Sequence, residues 1–177
     1  MSGERYQKTR IINALGIAES INERVGLVVM PFLYILTAVI LYEVVARYIF
    51  NSPTLWAGEL SMMLFGAISM LGGGYVLLHG GHTNVNILHK RLPWRARAIV
   101  DLFTAFFFFL FCGVLMWQGT EMFGHSISFW EHSSSVWGPP MYPARFLIPL
   151  GAALILLQGL VKFIKDVITA IRGQVLQ

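Results

Sequence analysis

The chain has 177 residues, 56% hydrophobic and only 12% charged, whereas a soluble domain carries about 25% charged residues. Its mean hydropathy is +0.64, and its apolar residues come in blocks long enough to cross a bilayer, which takes about 20 residues. This excludes an ordinary soluble domain, and the lone cysteine, Cys112, excludes an internal disulfide.

Residues 8–24 pattern as an amphipathic helix. Ile11, Leu15, Ala18 and Ile21 share one face, and Glu19, Glu23 and Arg24 lie elsewhere. Such a helix is expected to lie in the headgroup plane. The first span follows at about residues 25–45, with Pro31 near its start, where a helix tolerates it. The run is longer than a signal-peptide core, so the span is expected to be retained.

The second span covers about residues 54–78. Gly66, Ser69 and Gly73 lie at near-helical spacing on it, either for packing within this chain or for contact with another membrane protein. Gly80 and Gly81 can end it. Val85, Leu88 and Leu92 then suggest a second in-plane helix, stopped by Pro93 and followed by the interfacial Trp94.

The third span, about residues 98–120, contains the run FTAFFFFLF. Phenylalanine on every side of one helix cannot all be buried in so small a bundle, so some faces lipid or a partner. Cys112 reads as a small apolar packing residue. The connection 121–143 carries Trp130, Trp137 and Tyr142, which suit an interfacial belt, and is stiffened by Pro139, Pro140 and Pro143. The fourth span, about residues 144–164, contains a kink candidate, Pro149, and Lys162, which can snorkel.

The basic residues set the topology. Of 13 Lys and Arg, only Arg47 and Arg145 lie in the connections after spans one and three. The positive-inside rule therefore places both termini and the middle connection in the cytoplasm. The net charge of +4 is thus a topology signal, with no nucleic-acid partner expected. The fold expected is all-α and integral to the membrane. It has four transmembrane helices plus short in-plane amphipathic helices, as a single membrane domain over residues 1–177.

The segment RYIFNSPTLWAGEL, residues 47–60, places polar groups between two apolar runs. Ser52-Pro53 suits a helix N-cap followed by proline at the first helical position. Trp56 is expected at headgroup depth. Arg47 follows Glu43 by four residues, the favoured order for a helical ion pair, and could also reach Glu59 across the turn. Asn51 can satisfy free backbone groups there. The set reads as a polar clamp between spans one and two. The alternative is a substrate or ion site, since intramembrane ionisable residues are functional candidates. These groups, however, lie at the rim, and transporter sites normally lie near the midplane.

The same segment resembles the signature of the small membrane (Q) subunit of tripartite ATP-independent periplasmic (TRAP) transporters. Arg47, Tyr48, Phe50, Asn51, Pro53, Trp56, Glu59 and Leu60 match the family pattern. In GGHTNVNILHKRLP, residues 80–93, His82, Val85, Leu88, Arg91, Leu92 and Pro93 match a second family stretch. Gly58 departs from the first pattern and Asn86 from the second, each standing where the family often has an acid. Residues 139–160 resemble, weakly, the branch grouped with mannitol, chloroaromatic and 2-oxoacid systems. The resemblance implies a scaffold role for the motif residues Glu43, Arg47, Asn51, Pro53, Trp56, Glu59 and His82. It also implies an inner-membrane location, a large multi-spanning M permease that holds the substrate and sodium sites, and a periplasmic binding protein that delivers an organic acid. Membrane lipid is the remaining partner; no catalytic, metal or cofactor site is expected.

Two other readings are open. A cytochrome b type redox anchor would need axial histidines, and His79, His82, His89, His125 and His132 all lie towards the ends of the spans. A small subunit of another carboxylate transporter class would share the general pattern but not the residues 47–60 signature. An enzyme would need a nucleophile and base, and Ser133, Ser134 and Ser135 beside His132 have no recognisable motif around them.

Overall fold

The computed structural model describes the backbone of residues 2–79 and 94–172, and the side chains of residues 16–79 and 103–165. The described residues form four α-helices: α1 (Ser2–Tyr48), α2 (Ala57–Leu78), α3 (Trp94–Ser128) and α4 (Tyr142–Arg172). Each contains a stretch long and apolar enough to cross a membrane: Gly16–Tyr48, Ala57–Leu78, Phe103–Ser128 and Tyr142–Lys165. The chain is a multi-pass membrane protein. The expected second in-plane helix, with His82, lies outside the described residues.

Residues 8–24 do not form a separate helix. They are the first turns of α1, which runs unbroken through Pro31. The reason is tertiary. Ala18 packs with Val161, Glu19 pairs with Lys165 (2.5 Å) and Asn22 bonds Gln158 (3.1 Å), all on α4. Among the described residues of this segment, Ala18, Glu19 and Asn22 are thus used by a neighbouring helix, while Ile21 stays exposed.

α2 packs on both α1 and α4, α3 packs on α4, and α1 touches α4 more lightly. α3 makes no substantial contact with α1 or α2 among the described residues. The spatial order α1–α2–α4–α3 is therefore an open layer and not a closed four-helix bundle. The surface agrees. The chain exposes 12935 Å², against about 8,700 Å² for a compact protein of its mass.

Small residues allow the closest approaches. A side chain at Gly151 would come within 2.5 Å of the Met70 carbonyl oxygen, and one at Gly73 within 2.6 Å of Ile155. α2 and α4 therefore meet nearly backbone to backbone. The α2 stripe divides: Gly73 packs inside the chain, Gly66 has open space beside it and Ser69 is exposed. On α3, Phe103, Phe106, Phe107 and Phe111 are exposed, as the excess of phenylalanine requires.

The layer has two distinct ends. At the loop end lie the connections 49–56 and 129–141. At the opposite, terminal end lie the N-terminal part of α1 and the C-terminal part of α4.

Candidate functional site at the loop end

The loop end gathers the chain's charged motif residues. α1 ends at Tyr48, and three residues on, Asn51 has a left-handed φ of +47°, a conformation asparagine adopts more readily than most residues. Ser52 N–H donates to the Ala46 carbonyl (3.0 Å) as the chain turns back. Asn51 thus acts through its backbone conformation.

The turn then folds onto a carboxylate. Arg47 donates to Glu43 Oε1 from Nε (3.1 Å) and Nη2 (2.6 Å). The other oxygen, Oε2, accepts from the Thr54 backbone N–H (3.1 Å) and from the Thr54 hydroxyl. Glu43 therefore joins α1 to the segment that starts α2. Tyr42 and Trp56 reinforce this with stacked rings, centroids 5.8 Å apart.

Two sequence expectations need correction here. α2 begins at Ala57, not at Pro53, with Trp56 at the N-cap position. The Ser52 N–H closes α1 and the Thr54 N–H is held by Glu43, so residues 52–56 form the connection and the helix starts after them. The Thr54 hydroxyl instead accepts the Ala57 N–H (3.4 Å). Arg47 does not bond Glu59. It stays on Glu43, and its side chain is 55% exposed.

Glu59 faces the other connection. In the first turn of α2, where the helix dipole favours an anion, its Oε1 accepts from the Ser133 hydroxyl (3.3 Å). Its Oε2 is buried without a hydrogen bond. Ser133 thus ties the 129–141 connection to the head of α2.

That connection is shorter than the 121–143 expected, because α3 continues through Ser128. Its end is a Schellman motif. Trp130 N–H donates to the Ile127 carbonyl (3.2 Å) and Glu131 N–H to the Ser126 carbonyl (3.0 Å), with Trp130 at φ +47°. Arg145 Nη2 then donates to Glu131 Oε1 (2.5 Å), and Nη1 lies 2.5 Å from Oε2 as an ion-pair contact. An isolated antiparallel bridge, His132 to Pro140, closes the loop. Ser135 Oγ accepts the Gly138 N–H (3.1 Å), so Ser133 and Ser135 are turn-formers.

Sequence reasoning missed the Glu131–Arg145 fork and the Thr54 link. The fork had a visible signal: opposite charges flanking a proline-rich connection. Thr54 had none beyond its place in the motif. Pro53 is exposed in the connection between the helices. His79 stacks on Tyr75 at the terminal end (centroids 4.2 Å), and His125 and His132 lie towards the loop end. Among the described residues no group of three metal-capable side chains occurs.

This arrangement braces helices; it does not present a reacting centre. An open cleft of about 340 Å³ beside it is lined by Ile40, Val44, Arg47, Tyr48 and Gly58 among others. Among known proteins, the chain is 29% identical over 77 residues to the sialic acid TRAP transporter small permease protein SiaQ of Vibrio cholerae serotype O1. The matched stretch covers 44% of this chain and 44% of that relative, so the comparison spans under half of each. The family model for the DctQ component of tripartite ATP-independent periplasmic transporters matches residues 36–169. That range takes in both connections of the loop end, the end of α1, all of α2 and α3 and nearly all of α4. The chain therefore belongs to the DctQ component family of the tripartite ATP-independent periplasmic transporters, as a small permease subunit and not an enzyme.

Proposed function

We propose that this chain is the scaffold of a three-part uptake system in the bacterial inner membrane, with both termini in the cytoplasm. It braces a large M permease, which carries the substrate and the coupling sodium ions. A periplasmic binding protein delivers the substrate, an organic acid. The observation that carries this reading is the family match over residues 36–169, on a layer whose apolar faces are mostly uncovered. The loop-end braces support it, because they hold helices together and leave no polar path across the layer among the described residues. The grouping of basic residues supports the orientation; with the loop end in the periplasm, the 129–141 connection would face the binding protein.

The test is purification of the full chain from its native membrane in mild detergent, with mass spectrometry of what accompanies it. A near-stoichiometric, much larger multi-spanning permease is the expected result. Redox subunits in its place would overturn the reading and return attention to the peripheral histidines. Membrane uptake assays with sodium replaced by potassium test the coupling ion, with loss of uptake expected.

A further inference from the structure

The face of α3 turned away from α4 changes character halfway along. Its middle turns present Phe103, Phe107, Phe111 and Val114, all exposed. The turns nearer the loop end present Gln118, Glu121 and His125, also exposed. Steps of three and four residues place all seven on one stripe. The buried residues of α3, Cys112, Gly119 and Ser126, lie about a third of a turn round the helix from this stripe.

Polar residues on an outward stripe are ordinary in the headgroup region, but these reach deeper. Glu121 lies seven residues before the end of α3 at Ser128, about 10 Å along the axis. Next to it, Gly119 packs against Ile148 and Pro149, well inside α4, and Phe123 meets Phe146. Gly151, just beyond, sits against Met70 in the middle of α2. Gln118 and Glu121 therefore face outward within the apolar thickness of the layer. Glu43 and Glu131 towards the loop end are paired within the chain by Arg47 and Arg145, and Glu59 takes a hydroxyl bond from Ser133 on one oxygen. Glu121 has no hydrogen-bond or ion-pair partner among the described residues. A lone carboxylate facing lipid at this depth is unfavourable, and such residues pair or face protein.

We propose that this stripe of α3 is the docking face for a membrane helix of the large permease. That helix brings an arginine or lysine to Glu121 and a hydrogen-bonding group to Gln118, above an apolar stretch that packs on Phe107, Phe111 and Val114. The proposal rests on the small-subunit reading and adds to it a face and a recognition chemistry. Charge complementarity selects this edge. In the cleft between α1 and α2, Glu43 and Arg47 already neutralise one another, so lipid can cover that side.

The experiment uses the full chain in its native membrane, with a photoreactive phenylalanine analogue at Val114 or Gln118, and for comparison at Tyr34 of α1 or Phe65 of α2. Adducts identified by mass spectrometry as the large permease are expected from Val114 and Gln118, at least about tenfold stronger than from the comparison sites. Equal or stronger permease adducts from Tyr34 or Phe65 overturn the proposal. So do adducts with a second copy of this chain, or with lipid alone while the unsubstituted chain still co-purifies with the permease. Glu121→Lys should lower the permease retained by about tenfold, with Glu121→Gln intermediate and the thermal stability of the isolated chain unchanged. Equal retention by all three forms overturns the ionic part. If the unsubstituted chain retains no permease at all, the small-subunit reading fails, and the proposal with it.

Discussion

At the scale of single residues, the loop end separates groups by what they join. Glu43 takes Thr54 by two bonds across the turn and Arg47 within its own helix. Thr54→Val removes a link between segments, whereas Arg47→Ala removes a half-exposed pair inside α1. Thr54→Val should therefore lower the melting temperature of the purified chain more than Arg47→Ala. An equal loss would mean that the turn is held elsewhere. Trp130 allows a sharper comparison. A bulky side chain at φ +47° occupies a position that favours glycine by about 1–2 kcal/mol. Its ring meets Tyr142 edge-on, centroids 6.1 Å apart, a contact worth about 0.5–1.5 kcal/mol. Trp130→Gly loses the ring contact and relieves the backbone, so its stability should stay near that of the parent. Trp130→Ala loses the ring without full relief and should be the less stable of the two by about 1 kcal/mol, measured by thermal unfolding in detergent.

At the scale of elements, helix contact depends on glycines and on one buried amide pair. A methyl group at Gly151 would press on the Met70 backbone, and one at Gly74 on Asn22 Oδ1 at 2.0 Å and Leu154 at 3.4 Å. Gly151→Ala should destabilise by about 1–3 kcal/mol, because a backbone carbonyl cannot move aside. Gly66→Ala and Gly72→Ala meet nothing within 4 Å and should leave the isolated chain as stable or slightly more so. Asn22 and Gln158 are 0% and 4% exposed. Asn22→Leu leaves Gln158 unanswered, at about 1–3 kcal/mol, and the double variant Asn22→Leu/Gln158→Leu should recover part of that loss. Additive losses would show that the amides act separately. Four apolar runs made the helices legible in the sequence. Their ends were less so. The end of α3 was placed early because Glu121 and His125 look like loop residues in a linear reading, whereas both are exposed residues of the helix. The start of α1 was misjudged because an amphipathic face does not say whether lipid or α4 covers it.

At the scale of the whole molecule, the candidate site was half legible. Glu43 and Arg47 pair as their spacing suggested, since four residues on a helix fix the geometry. Glu59 was assigned the wrong neighbour, because its partner Ser133 lies 74 residues away in a loop whose fold no local pattern reports. The order of helices across the layer was not legible at all. It is set by which small residues meet, such as Gly151 against Met70 and Gly119 against Pro149, and many pairings of small residues would satisfy the sequence equally.

That order bears on how the chain is made. Helices enter the bilayer in the sequence of synthesis, and each can pack only on those already present. α2 arrives to find its neighbour α1 waiting, but α3 arrives when neither α1 nor α2 offers it a substantial contact. Its protein neighbour is α4, the last to be synthesised. Between those two events α3 must stand alone in lipid, which its phenylalanine-rich middle turns allow. A chain stopped at residue 141 should keep α1 and α2 paired, while α3 remains a solitary helix. Cysteine crosslinks between α1 and α2 should then survive the truncation, and Cys112, shielded in the complete chain, should lose its cover and contact lipid.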